Sequence, residues 1–368
     1  MAALAYKPAQ SNASLVDLLL DAGAVLHCKT NVPQTLMSLD SVNNVFGRTL
    51  NPIKRDVTAG GSSGGEGVLV AMKGSVFGIG TDIGGSVRIP AMCNGVYGFK
   101  PSKGRMPSSG LENGQAAGTG KEGLETIVGP IARSLNDCGF LCEIVEGASA
   151  WEKEAGVLAG RWWTEGVSHS TSKPLIGVVW RDGLIEPLPP VTKVMAEVVE
   201  KLRRSGVDVV EIDTPRFKEC QALANAFFGV EGGNYIFDLL EEGEEPLVPW
   251  LESRLKRKKA KTMEDVRKLH ARKMELEKDF LKIWRDSRGR KIDAFICPVA
   301  PHPAPPIDRW NGVSYTSTFV LLDYPAGTIP VRMLVEEDLH GEMKGTPLSS
   351  WDKVNRELCK LPGPMLRD

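Results

Sequence analysis

Apolar positions along the chain follow two patterns, a helical spacing and short continuous runs. Leu15, Leu18 and Leu19 recur at helical spacing directly after Ser14, so the sequence predicts a helix that begins at Ser14 and ends before Gly23. The same spacing predicts further helices in EGVLVAMKG (66–74), in GPIARSLNDCGFLCEIVEG (129–147) with its start near Pro130, and in VTKVMAEVVEKLRR (191–204).

Short apolar runs bounded by Gly, Pro or Asn predict strands between these helices. The runs are AVLHC (24–28), VFGIGTD (76–82), NGVYGFKPS (94–102), PLIGVVW (174–180), VDVVEID (207–213) and DAFICP (293–298). Alternation of helices and strands indicates the α/β class. The polar, irregular stretch AGRWWTEGVSHSTSK (159–173) predicts an exposed connection.

Composition and charge exclude several classes of protein. The chain has 368 residues, and its 45 Lys and Arg nearly balance 46 Asp and Glu, so no overall field draws it to nucleic acid or to an anionic membrane. The seven cysteines lie at irregular spacing and predict no disulfide framework, and we interpret Cys138 and Cys142 as core residues of one helix. We therefore expect a reducing, cytoplasmic location, and no run reaches the roughly 20 apolar residues of a membrane helix.

One basic stretch, RLKRKKAKT (254–262), stands out in the region 251–291. The region 251–291 is compatible with a nucleic-acid patch or with a solvated helical face. Glu and Asp recur through 264–286 and dilute the charge, so we favour the helical face and expect no nucleic-acid partner.

Two loops are rich in Gly and Ser, TAGGSSGGEG (58–67) and GIGTDIGGSVRIP (78–90). The first has no lysine for a P-loop and no good strand before it for a dinucleotide fingerprint. Tight structural turns would explain one such loop, but not two that both carry hydroxyl groups. The third interpretation is a nucleophilic serine, Ser86, that attacks while the N–H groups of Ile83, Gly84 and Gly85 hold an oxyanion. None of the five histidines lies in a setting typical of a Ser-His-Asp triad, so another group would activate the serine.

These two loops together resemble the core of the amidase signature family. The second continues in register through AMCNGVYGFKPSKGRMP, and further matching stretches are AGAVLHCKTNVPQTLMS, NNVFGRTLNP, GPIARSLNDC and YTSTFVLLDYPAGTIPV. The resemblance runs from about residue 7 to residue 331. Glu66, after the second Gly-Gly, and KTNVPQT make the chain similar to the branch of fungal acetamidases and fatty-acid amide hydrolase.

The resemblance implies an α/β domain over 1–368 with a mixed, twisted central sheet flanked by helices, and a Ser-Ser-Lys catalytic triad. By this match Ser86 would form the acyl-enzyme, and Ser62, in a cis peptide bond, would relay the proton. Ile83, Gly84 and Gly85 would frame the oxyanion hole.

The same match implies roles for residues around the triad. Thr81, Asp82 and Arg88 would hold the oxyanion loop in place, and Ser63 would lie beside the proton relay. Apolar residues after KTNVPQT are expected in the wall of the substrate pocket, and the candidates are Leu36, Met37 and Leu39.

Two family features have no counterpart in this sequence. The family's catalytic lysine belongs to a strand upstream of the helix that here begins near Ser14, and neither Lys7 nor Lys29 matches it. The family also continues after DYPAGTIPV with a strand that LPGPMLRD (361–368) does not match. We therefore expect a domain that lacks the lysine strand and the C-terminal end of the family.

The expected activity is hydrolysis of a carboxamide to a carboxylic acid and ammonia or an amine, through an acyl-serine intermediate. The alternative is a catalytically inactive remnant of an amidase, because the lysine is absent. A small-molecule amide is the expected partner, and a homodimer is the assembly considered. No metal or organic cofactor is expected, since no His, Cys or Asp cluster has ligand spacing.

Overall fold

The computed structural model describes residues 2–5, 7–112, 114, 122–164, 173–213, 216–310, 312–339 and 341–359. Residues 165–172 of the predicted connection and the stretch LPGPMLRD lie outside the described residues. The helices of the described residues are α1 (Ser14–Asp21), α2 (Gly64–Ala71), α3 (Arg88–Asn94), α4 (Leu135–Gly147), α5 (Pro189–Arg204), α6 (Phe217–Phe228), α7 (Asn234–Glu242), α8 (Pro249–Glu252), α9 (Met263–Leu281), α10 (Ser314–Leu321) and α11 (Ser350–Leu358).

The strands of the described residues form three sheets. They are β1 (Val42–Asn43), β2 (Gly47–Arg48), β3 (Phe77–Asp82), β4 (Tyr97–Lys100), β5 (Ile127–Ala132), β6 (Leu175–Val178), β7 (Asp208–Glu211), β8 (Ala294–Ile296) and β9 (Ala326–Thr328). β1 and β2 form a hairpin, the second sheet has the antiparallel order β3-β5-β4-β9, and the third has the parallel order β7-β6-β8. The α/β class is confirmed, and its parallel and antiparallel pairings lie in separate sheets.

Parallel pairing of β6 and β7 requires a crossover, and α5 supplies it. The predicted helix over 191–204 is therefore confirmed together with both strands, and Gly206, with φ of 77°, lies in the turn between α5 and β7. The predicted helix at 66–74 is also confirmed, as α2, and so are the strands at 76–82 and 94–102, as β3 and β4.

Two predictions of local structure are wrong. The run AVLHC (24–28) forms no strand, and its Val25 is 84% exposed, because no neighbouring strand pairs with it. Pro130 does not open a helix but lies inside β5, opposite Ile79 of β3. Helix α4 begins only after Ser134, whose hydroxyl caps it by accepting a hydrogen bond from the Asp137 N–H at 3.1 Å. The six residues Ile127–Ala132 are all buried and form a strand, although the proline within them had predicted the start of a helix.

Two hydrophobic clusters hold the elements around the Gly/Ser loops. One joins α6, α9 and α10 through Phe217, Phe280 and Phe319, whose rings meet near 6 Å between centroids. The other packs α1 against α4, where Cys138 and Cys142 are buried as expected and burial raises the pKa of each thiol to about 12. In the part of the chain that the structure describes, no helix is both long and apolar enough to cross a membrane.

Candidate active site

The two Gly/Ser loops meet at the ends of neighbouring helices. Ser62 lies just before α2, and Ser86 lies in the turn between β3 and α3. The N–H of Ser63 donates a hydrogen bond to the carbonyl oxygen of Ser86 at 3.2 Å, so the loops are directly bonded to each other. The peptide bond between Gly61 and Ser62 is cis, as the resemblance implies.

Both serine hydroxyls open into one cavity of about 290 Å³. Ser62 is 5% exposed and Ser86 is 6% exposed, so the serines form the buried end of this cavity. Among the described residues, neither hydroxyl has a hydrogen-bond partner. Because both residues line the cavity, the two hydroxyls are accessible from it and are available to bond a ligand there.

The turn between β3 and Ser86 presents backbone N–H groups beside the serine. The N–H groups of Ile83 and Gly84 have no acceptor among the described residues, whereas the N–H of Gly85 donates to Oδ1 of Asp82 at 2.7 Å. The expectation that Gly85 belongs to the oxyanion hole therefore needs a correction, because its N–H is already used. Gly85 instead shapes the turn with φ of 132°, a conformation that favours glycine.

A buried ion pair holds this turn. The Arg88 guanidinium donates from Nε and Nη2 to the Asp82 carboxylate, both at 2.9 Å, and Asp82 also accepts the Val87 N–H at 3.3 Å. Burial raises the pKa of Asp82, but Arg88 outweighs it and the pKa lies below its usual range. Arg88 also donates to the carbonyl oxygen of Thr316, and the Thr316 hydroxyl donates to the Gly84 carbonyl oxygen at 2.5 Å. The sequence offered no signal for Thr316, since the contact comes from α10.

Ser63 lies between α2 and the end of β3. Its hydroxyl accepts the Thr81 N–H at 3.3 Å and donates to the Thr81 carbonyl oxygen at 3.5 Å. A Cβ atom on Gly80 would lie 2.6 Å from the Ser63 Oγ, so the glycine in β3 allows this close approach. Ser63 and Thr81 thus form one hydrogen-bonded unit next to Ser62.

Apolar residues from distant parts of the chain form the wall of the cavity. Leu36 and Met37 line it as predicted, but Leu39 does not and packs instead in a core cluster with Ile89 and Trp310. The sequence analysis missed the remaining apolar wall, which comprises Leu124, Phe227, Phe228, Val230, Ile236 and Leu255. Phe227 and Phe228 end α6, and only the tertiary packing reveals that they face the serines.

The basic stretch 254–262 also contributes to this cavity. Arg254, Lys256 and Lys258 line it, and the residues from 255 to 262 are not helical. The interpretation of the region 251–291 as a solvated helical face therefore holds for α9, which begins at Met263 after a capping box formed by Thr262 and Asp265, but not for residues 255–262.

A larger cavity of about 1110 Å³ adjoins the first one at Ser62 but does not reach Ser86. Apolar side chains dominate its lining, and α1, α7 and residues 24–28 contribute to it. The half-buried acid Glu66 also lines it and accepts a hydrogen bond from the Thr30 hydroxyl at 2.5 Å, and partial burial raises the pKa of Glu66. We centre the candidate site on the smaller cavity, because it alone of the two contains both serines.

Lys100 is the buried lysine nearest to the ion pair of Asp82 and Arg88. Burial lowers its pKa to about 8, and its Nζ donates to the Pro101 carbonyl oxygen at 2.9 Å. It lines neither cavity, so it has no direct access to either serine. His302 is buried as well and packs edge-to-face against Trp310, which gives it a structural role.

Comparisons with known proteins agree with this arrangement. The sequence model of the Amidase family matches residues 1–349. An amidase of Gibberella moniliformis is 34% identical over 333 residues, 89% of this chain and 61% of the relative. An acetamidase of Aspergillus oryzae is 32% identical over 354 residues, 94% of this chain and 64% of the relative.

The structure of a fatty acid amide hydrolase superposes with a TM-score of 0.82 at 28% identity, over 95% of this chain and 61% of that chain. The chain thus spans less than two thirds of the length of each of these proteins.

Proposed function

This chain belongs to the amidase signature family, and we propose that it hydrolyses a carboxamide to a carboxylic acid and ammonia or an amine. The observation that carries the proposal is that Ser62 and Ser86 line one cavity beside the N–H groups of Ile83 and Gly84, and that these hydroxyl and N–H groups have no hydrogen-bond partner in the described part of the chain. No finding supports the alternative of an inactive remnant.

In the proposed reaction, Ser86 Oγ attacks the carbonyl carbon of the amide and passes its proton to Ser62. The carbonyl oxygen becomes an oxyanion, and the N–H groups of Ile83 and Gly84 stabilise it. One such donor is worth about two to three powers of ten in rate. The nitrogen takes up the proton relayed from Ser86, and the C–N bond breaks to release ammonia or an amine. Water then attacks the ester carbonyl, and one of its protons restores the Ser86 hydroxyl as the acid is released.

The proton that Ser62 gives up requires a base on its far side. Ser62 also lines the larger cavity, which gives a base access to it. Lys100 does not qualify, because it lines neither cavity. The family resemblance implies that this base is a lysine, and neither Lys7 nor Lys29 matches that lysine.

A fluorophosphonate probe tests the nucleophile without requiring turnover. We expect covalent labelling at Ser86, located by peptide mass spectrometry, and no labelling of a Ser86→Ala variant. Ammonia release from acetamide and hexanamide tests the reaction itself. Undiminished labelling of the Ser86→Ala variant would overturn the assignment of the nucleophile.

A further inference from the structure

We infer that the substrate of this site carries an anionic group, a carboxylate or a phosphate-type group, which Lys256 and Lys258 bind at the mouth of the cavity. The inference rests on the proposed function for the position of the amide group. It assigns a role to the basic stretch 254–262, whose purpose the amidase chemistry alone leaves unexplained.

The position of the lysines follows from the shape of the cavity. Ser62 and Ser86 form its buried end, whereas Lys256 and Lys258 line it with exposed side chains and therefore stand at its solvent end. Apolar side chains, among them Phe228 and Leu255, form the wall between the two ends. A substrate with its amide at the serines would place a short apolar chain along this wall and its far end beside the lysines.

The basic stretch is built onto the wall of the cavity by its backbone. The Lys258 N–H donates to the Gly232 carbonyl oxygen at 2.9 Å, and the Lys261 N–H donates to the Val230 carbonyl oxygen at 2.8 Å. A Cβ atom on Gly232 would collide with the Lys258 carbonyl oxygen, so the glycine is required for this contact. The two hydrogen bonds hold the backbone of the stretch at Lys258 and Lys261 against Val230 and Gly232.

The positive charges of this stretch differ in how they are compensated. Arg257 is paired with Asp238 and Glu241 at 2.7 and 2.8 Å. Arg254 stacks over the Trp250 ring at 4.2 Å. Lys256 and Lys258 have no carboxylate partner among the described side chains. Their charges are therefore available to a ligand.

The acidic groups that line the cavity do not cancel this charge. Glu112 and Glu231 line it opposite three basic side chains, Arg254, Lys256 and Lys258. The Glu112 carboxylate accepts the Gly114 N–H at 3.2 Å. The cavity mouth therefore has an excess of positive charge, which attracts anions and selects against cationic substrates.

The size of the cavity limits the ligand. With about 30 Å³ for each water-sized group, the volume of about 290 Å³ holds a small molecule. The monoamide of a short dicarboxylic acid, such as adipamate, combines an amide, an apolar chain and a terminal anion, the three features that the serines, the apolar wall and the lysines would recognise. A phosphonate in place of the carboxylate offers the same charge recognition.

Three probes of equal chain length test the inference: adipamate, its phosphonate analogue and neutral hexanamide. Calorimetric binding is measured with the Ser86→Ala variant, and kcat/KM is measured with the intact serine. We expect the better of the two anionic amides to have an affinity and a kcat/KM roughly fivefold to tenfold higher than those of hexanamide at low salt. The reason is that each exposed ion pair adds a modest amount of binding free energy. The double variant Lys256→Gln/Lys258→Gln should lose this preference and keep its affinity for hexanamide.

The matched control is the double variant Lys259→Gln/Lys261→Gln, which removes the same charge from side chains that do not line the cavity. It should keep the preference for anions. Equal affinity for charged and neutral amides, or equal losses in both double variants, would overturn the inference. Lysine-dependent binding of an anionic amide without any hydrolysis would instead leave the inference standing and refute the proposed reaction.

Discussion

The guanidinium of Arg88 and the carboxylate of Asp82 form a two-bond ion pair that is almost fully buried, with 3% and 0% of the side chains exposed. The pair connects the start of α3 to the end of β3 and closes the turn that carries Ser86. Its carboxylate also accepts the Gly85 N–H, so the geometry of the proposed oxyanion turn depends on it. The buried ion pair thus holds one side of the turn, and Ser86 on the other side lines the cavity.

Breaking this pair should be costly. Removing one partner of a buried pair leaves an uncompensated charge, so Arg88→Met or Asp82→Asn should each lower the free energy of unfolding by about 3–5 kcal/mol. The double variant should lose clearly less than the sum of the two, because no charge is then left unpaired. Urea unfolding of the three variants measures this coupling, and strictly additive losses would contradict the structural role of the pair.

Gly85→Ala should destabilise the same turn. The new Cβ would lie 2.5 Å from the Thr316 Oγ1 and 2.7 Å from the Ile89 Cδ1, at a φ of 132°. Backbone strain of this kind costs about 1–3 kcal/mol. The adjacent Gly84→Ala is the control for stability, since its Cβ would meet only the Phe228 ring at 3.5 Å. Thermal unfolding should separate the two variants, and equal midpoints would show that the turn can relax.

Ser62→Ala should slow the reaction but change stability little, whereas Ser63→Ala should lower stability but change the reaction little. The Ser62 hydroxyl has no bond partner among the described residues, so its removal should change the free energy of unfolding little. The Ser63 hydroxyl bonds Thr81, and its loss should cost about 1 kcal/mol. If Ser62 relays the proton of Ser86, Ser62→Ala should slow the reaction of Ser86 with a fluorophosphonate far more than Ser63→Ala does. Equal labelling rates in the two variants would remove Ser62 from the mechanism.

Lys100 should make stability depend on pH in the alkaline range. Its pKa is lowered to about 8 in the folded protein, so between that value and its ordinary value the unfolded chain binds more protons and stability rises with pH. Below pH 8 the buried Lys100 side chain is charged, so the full cost of burying this charge lowers the free energy of unfolding. Lys100→Met should therefore stabilise the protein at pH 7, by on the order of 2 kcal/mol more than at pH 9.5.

Comparing each variant with the wild type at the same pH cancels the contribution of the buried cysteines, whose raised pKa values lower stability at high pH. Lys103→Met removes the same charge from an exposed side chain and should have an equal effect at both pH values. A Lys100→Met effect that does not change with pH would refute the inferred environment of Lys100.

Local patterns in the sequence determined part of the elements and the two loops that carry the serines. The spacing of Leu15, Leu18 and Leu19 sufficed for α1, and the glycines around Ser62 and Ser86 marked the two loops that meet in the structure. These features depend on neighbours a few residues away, and chain geometry fixes such contacts directly. The family resemblance extended the same motifs to the α/β fold and to the cis peptide bond before Ser62.

Tertiary structure alone decided which distant residues contact the two Gly/Ser loops or share their cavity. Thr316 reaches Gly84 from 232 residues away, and Phe228 and Lys258 come to line the cavity of the serines only through the packing of α6 and the loop before α9. AVLHC has the composition of a strand, but a strand exists only where a second one pairs with it. Lys256 and Arg257 are identical in charge and adjacent in sequence, yet only Arg257 finds carboxylate partners among the described residues. Whether a charge is compensated depends on its three-dimensional neighbours, and no local pattern records them.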